Sequence, residues 1–211
     1  MVEIPLTANG DTSPYYFSKQ GIIKAINLTD LKESGNIIAM RIWTEKEIIE
    51  LNYNDSNNIT GAHTFFAAPN PGDNKKPYVF KKSNLNAAQL KQITHLTDSF
   101  NIRRLPSEDQ IECWGIINGS PAKRDCNDGI TYIIEFSNPE TYSFKTYDCP
   151  WTWSCKEAAT FNSFIMEIEK LLDSKQQFQK FINDLPGGCY STGRAFVICN
   201  NLPRKGKKDN R

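Results

Sequence analysis

The sequence predicts an α+β fold: a single domain over residues 1–203 in which a largely antiparallel sheet packs against two or three helices, followed by a basic, disordered tail at 204–211. Two observations carry that expectation. Short apolar runs alternate with period two between Gly, Pro and Asn clusters, the pattern of strands. From Asn86, and again from Ser154, apolar residues recur at helical spacing behind a capping residue. Strand and helix runs do not alternate regularly, which excludes a doubly wound parallel sheet and leaves the helices gathered on one face.

The first strand pair is expected at Asn36 to Trp43, with Ile37, Ala39 and Trp43 on one face and Ile38, Met40 and Ile42 on the other, returning through Glu47 to Tyr53. Apolar residues on both faces predict a hairpin buried on both sides. Asp55 to Gly61 reads as a polar turn, His63 to Ala67 as a strand, Pro69 to Lys76 as a surface loop, and Tyr78 to Phe80 as a further short strand. Asn86 and Gln89 form a capping box for a helix carrying Leu90, Ile93, Leu96 or Thr97, and Phe100. Ile130, Tyr132, Ile134 and Phe136 share a strand face, Ser137 to Glu140 turns, and Tyr142 and Phe144 bring the apolar face back. The strongest helix follows, with Ser154 and Glu157 as a capping box and Phe161, Phe164, Ile165, Ile168, Leu171 and Leu172 as its core stripe. Ser174 and Gln177 restart it, Pro186-Gly187-Gly188 stops it, and Ala195 to Cys199 is a last strand.

At 211 residues the chain supports one substantial core. Its 25 Lys and Arg against 24 Asp and Glu give a net charge of +1, so nothing global draws it to nucleic acid or to an anionic surface. The longest apolar runs have strand length, well short of the roughly 20 residues of a membrane-spanning helix. Met1 to Thr7 lacks the basic start and apolar run of a secretory signal, so the chain is cytoplasmic or its signal has been removed. No cofactor motif is present: GxGxxG, Walker, HExxH and GxSxG are all missing.

Cys113, Cys126, Cys149, Cys155, Cys189 and Cys199 form an even set confined to the C-terminal half, as disulfides of an oxidising compartment would. The sequence-local pairs Cys113 with Cys126, Cys149 with Cys155 and Cys189 with Cys199 close most easily; the alternative is six buried, reduced thiols. None of the spacings is the close C-x-x-C pair of a zinc site, so no metal is expected.

Four segments invite a chemical reading. Cys189 to Arg194 approaches a phosphatase thiolate loop, but only four residues separate Cys from Arg where that loop has five, and the segment leads from helix to strand. Asp125 to Gly129 approaches a calcium loop, but its glycine comes one place early and no Glu follows at the required spacing. Asp128, Glu135 and Asp148 surround one hairpin and would be the carboxylates of a hydrolase. His63 and His95 are the only imidazoles available to serve a nucleophile, and neither lies near a partner motif. The best binding surface is the aromatic loop, where Tyr147, Trp151 and Trp153 could stack on a sugar or anchor a protein while Asp148 accepts a hydrogen bond. The competing reading makes the same loop a roof over the core.

From about Leu85 to Leu172, a helix is followed by Cys126-Asn127-Asp128-Gly129-Ile130-Thr131-Tyr132-Ile133-Ile134-Glu135, then Tyr142, then Asp148-Cys149-Pro150-Trp151 and a Phe/Ile-rich helix. This order resembles a family of uncharacterised bacterial proteins, many with secretion or lipoprotein signals. The resemblance implies placement outside the cytoplasm and no particular activity. The expected function is a non-enzymatic binding or interaction protein of the bacterial cell envelope, periplasmic or at the cell surface. The alternatives are a cytoplasmic inhibitor of the immunity type and a carboxylate-dependent hydrolase.

Overall fold

The computed structural model describes residues 1–4, 12–32, 38–55, 58–69, 77–114, 116–117, 120–121, 130–192 and 197–200. Cys126, Asp128, the calcium-like segment, Arg194 and the 204–211 tail therefore lie outside the described residues.

In chain order the elements are β1 (Val2–Glu3), α1 (Pro14–Ala25), β2 (Ile38–Trp43), β3 (Glu47–Asp55), β4 (Asn58–Pro69), β5 (Val79–Asn84), α2 (Ala87–Ser99), β6 (Ile116–Ile117), β7 (Ser120–Pro121), β8 (Thr131–Ser137), β9 (Tyr142–Asp148), α3 (Lys156–Leu171), α4 (Ser174–Asn183), β10 (Gly188–Ser191) and β11 (Val197–Asn200). One-turn 3₁₀ helices span Glu108–Gln110 and Pro150–Thr152. The main sheet runs β1-β9-β8-β2-β3-β4-β10-β11, with β5 also paired to β4. All of its pairings are antiparallel except β1 with β9. The α+β class and largely antiparallel sheet are as the sequence predicts.

The helices do not gather on one face. Met40, Ile42, Ile49, Leu51, Tyr132 and Ile134 pack under α2 and α3. Ala39, Trp43, Ile48, Ile133 and Phe144, on the opposite face, pack under Tyr16, Ile23 and Ile26 of α1 and its exit. The β2–β3 hairpin is buried on both sides because each face has its own helical cover. A third cluster joins Phe65 and Ala67 of β4 to Phe181, Ile182 and Leu185 of α4 and to Tyr190 of β10.

Helix starts follow the local chemistry in one case and tertiary packing in two. Asn86 accepts from the Gln89 backbone and Gln89 answers to the Asn86 backbone, a complete capping box. For α3 the N-cap is Cys155, not Ser154. Trp153, 5% exposed, is drawn into the core and sets where the chain can turn into the helix. For α4 the N-cap is Asp173, in the left-handed region at φ 49°, and Ser174 is buried inside the first turn. Asn58 to Gly61, expected as turn, belong to β4. Gly61 is required there: a Cβ would lie 2.5 Å from the Glu50 carbonyl oxygen and 2.8 Å from Leu90 Cδ2.

A charged cross-strand row crosses the α1 face. Arg41 stands opposite Glu50 on β3 and Glu135 on β8. Its guanidinium, wholly buried, reaches Glu50 Oε1 at 2.8 Å, Glu135 Oε2 at 3.3 Å and the Thr29 carbonyl at 2.8 Å. Trp43 Nε1–H donates to Glu135 Oε2, and the Tyr142 hydroxyl donates to Glu135 Oε1 at 2.7 Å. Glu135 thus has both oxygens engaged, as a buried carboxylate must.

Candidate functional site

The aromatic loop is mainly a roof. Tyr147 is fully buried and stacks on Phe161 of α3 with ring centroids 3.9 Å apart. Trp153 is buried, and its Nε1–H donates to the Asp148 carbonyl at 3.3 Å. Asp148 is half-buried, where its carboxylate accepts from the Thr131 hydroxyl at 2.9 Å. Of the four residues only Trp151, 48% exposed, presents its ring to solvent, with one edge against Tyr132.

The hydrolase carboxylates are not brought together. Glu135 is 1% exposed and held by Arg41, Trp43 and Tyr142. Asp148 is the register partner of Thr131, four residues away along the strand, or about 13 Å. Cys189 of the phosphatase-like segment is bonded to Cys199 across β10 and β11, so it has no thiolate to offer. Cys149 is also disulfide-bonded, while Cys155 is a free thiol, so the suggested Cys149–Cys155 bridge is not formed. Cys113, the other free thiol, faces Cys155; hydrogen bonding to Cys155, followed by burial and nearby negative charge, raises it to about 11.

The histidines take different places. His95 is exposed on α2, near the Ser99 hydroxyl. His63 is buried on β4, its Nε2 2.7 Å from Glu47 Oε2, under the α3–α4 side of the sheet. The second Glu47 oxygen has no hydrogen-bond partner among the described residues.

Beside this pair lies a cavity of about 340 Å³, between the β2–β3 turn, α3, α4 and the β10–β11 hairpin. Ile130, Phe178 and Ile198 give it an apolar body; Glu45, Lys46 and Glu169 give it charge. Burial pushes the Glu169 carboxyl up, Lys46 opposes the shift and Glu47 adds to it. Lys46 Nζ also lies over the Phe178 ring, 5.3 Å from its centroid. Burial, then the negative charge of Glu169, Glu47 and Glu45, pushes the Tyr132 hydroxyl upward. A largely apolar hollow with a few convergent polar groups and a perturbed acid is the usual form of a small-molecule site.

No motif in the sequence marks these lining residues as a site; Ile130 reads only as part of a strand face. The one available signal was Glu47 and His63, polar residues at inward positions of otherwise apolar strands.

Among the described residues no helix is long and apolar enough to cross a membrane. No protein-family model, curated protein or solved structure matches the chain.

Proposed function

We propose that this is a non-enzymatic binding protein of the bacterial cell envelope that takes a small amphipathic ligand, an apolar body bearing a cationic group, in the α3–α4 cavity. The cavity's composition carries the reading. Its surface is largely apolar, Glu45 and Glu169 outnumber Lys46 in its lining, and the charge of the buried Glu47 is felt at Glu169. A cationic head would offset that excess where burial makes the Glu169 charge costly. The Cys189–Cys199 bond supports an oxidising compartment over the cytoplasmic alternative, and the engaged oxygens of Glu135 speak against the hydrolase.

The test is a thermal-shift panel of arylalkylamines against the matched alcohols at neutral pH. Amines should raise the melting temperature more than alcohols, and Glu169→Gln should remove the difference while Phe178→Ala weakens both series. Equal shifts from amines and alcohols, or none at all, would refute the cavity as a cation-selecting site. Compartment is tested separately by trapping thiols in native cells: Cys189 and Cys199 should resist alkylation until reductant is added.

A further inference from the structure

A second cluster lies outside that cavity. Cys113 sits in the turn after the Glu108–Gln110 helix, Cys155 is the N-cap of α3, and Glu157 is in the first turn of α3. Their ligand atoms all lie within 4.8 Å of one another, with Cys113 Sγ 3.8 Å from Glu157 Oε2. We propose that Cys113, Cys155 and Glu157 form a three-ligand site for a thiophilic divalent cation of the zinc type.

The geometry is near what such an ion needs. With metal–sulfur bonds of about 2.3 Å and metal–oxygen bonds of about 2.1 Å, a tetrahedral site separates its sulfurs by about 3.8 Å and sulfur from oxygen by about 3.6 Å. The observed sulfur–oxygen separation of 3.8 Å is about 0.2 Å from that value, and the remaining separations lie within 4.8 Å. Two thiolates and a carboxylate supply the donors zinc prefers, and the ion would offset their mutual repulsion.

Both ligand-bearing segments are anchored. Trp114, next to Cys113, is buried against Tyr147. Upstream, Ser107 accepts from the Thr146 backbone N–H, and Glu108 accepts from the Thr146 hydroxyl and the Asp148 backbone N–H of β9. Trp153, two residues before Cys155, is buried in the same core. The donors are therefore presented by fixed backbone, the condition for a preorganised site. Cys113 and Glu157 also line an open hollow of about 460 Å³ with Pro106, Gln110, Ile111 and Glu112. That hollow gives the ion an entry path and leaves its fourth position to water or to Glu112, as in sites that keep an open coordination place. The expectation from sequence spacing that no metal binds rests on near neighbours; here the donors come from segments 44 residues apart.

The experiment uses the full chain purified without reductant. It is incubated with a slight excess of Zn²⁺, alkylated with and without a chelator, and mapped by mass spectrometry; Co²⁺ is titrated in parallel. Expected are Cys113 and Cys155 that resist alkylation until chelator is present, and one thiolate-to-cobalt charge-transfer band per chain. Cys113→Ser should abolish that band, and Glu157→Gln should weaken binding by at least roughly tenfold. Cys155→Ser should also abolish it while keeping a competent N-cap, which separates ligand loss from misfolding. Prompt alkylation despite Zn²⁺, or a Cys113–Cys155 disulfide released only by reductant, would overturn the proposal.

Discussion

Replacing Arg41 with Leu removes the cation from a row of three charges and leaves Glu50 and Glu135 facing each other across β2. Arg41 and Glu135 are 0% and 1% exposed and Glu50 is 7% exposed, so solvent cannot take over the guanidinium's role. Removing one partner of a buried ion pair costs about 3–5 kcal/mol, against about 0–1 kcal/mol for an exposed pair. For a chain of this size that is a fall of roughly 6–20 °C in melting temperature. Urea unfolding followed by tryptophan fluorescence is the assay; Trp43, hydrogen-bonded to Glu135, is one of the four tryptophans it reads. Arg41→Lys should fall between wild type and Arg41→Leu, because an ammonium keeps the charge but loses the fork that spans two carboxylates and the Thr29 carbonyl. Replacing Arg41, Glu50 and Glu135 together with apolar residues should recover most of the loss. An Arg41→Leu cost below about 1 kcal/mol would show that the row behaves as a solvated surface pair and would refute the reasoning.

Four further outcomes are expected. Glu169 is raised above its ordinary 4.5 in the folded chain, so its stabilising contribution is full below the ordinary carboxylate range and is lost as pH climbs through the folded value; Glu169→Gln should flatten that part of the stability–pH curve and exceed wild type at neutral pH, as read by urea midpoints. Gly61→Ala should cost about 1–3 kcal/mol, because the new Cβ meets the Glu50 carbonyl at 2.5 Å. Gly21→Ala, in α1 with nothing within 4 Å of the new Cβ, should instead gain about 0.5–1 kcal/mol, and matched denaturation curves would check both. Replacing Cys189 and Cys199 by Ser together should lower stability by about 2–3 kcal/mol by freeing a loop of sequence separation 10 in the unfolded chain.

What could be read from the sequence was whatever local chemistry decides. The α2 capping box is complete within four residues, and the β2–β3 and β8–β9 hairpins follow from alternation beside a turn. Helix α1 escaped because its stripe is weak and Gly21 interrupts it; its one clear mark was Pro14 at the first helical position behind Ser13. The α3 start was misplaced by one residue because Ser154 satisfies the local rule while burial of Trp153 decides the entry. The candidate sites were hidden for a related reason: each is assembled across the chain. Glu169 joins Lys46 and Phe178 only once α3 and α4 have docked on the sheet, and Cys113 meets Cys155 only once the turn before it is tied to β9.

The buried charges also bear on how the sheet finds its register. Along β3, Glu47 faces the α3–α4 side, where His63 meets it, and Glu50 faces the α1 side, where Arg41 meets it. A slip of one residue would turn both faces over, setting Glu47 beneath α1 without an imidazole and Glu50 beneath α2 without a guanidinium. Apolar residues alone would resist such a slip weakly here, because both faces of the hairpin are apolar and Ile48 and Ile49 could exchange places at little cost. The charged pairs make the alternative register leave two carboxylates buried and unpaired, a penalty of several kcal/mol each. The triple apolar variant that recovers stability should therefore lose uniqueness: amide spectra would show more than one set of β2–β3 resonances, and a single sharp set would locate the register signal elsewhere.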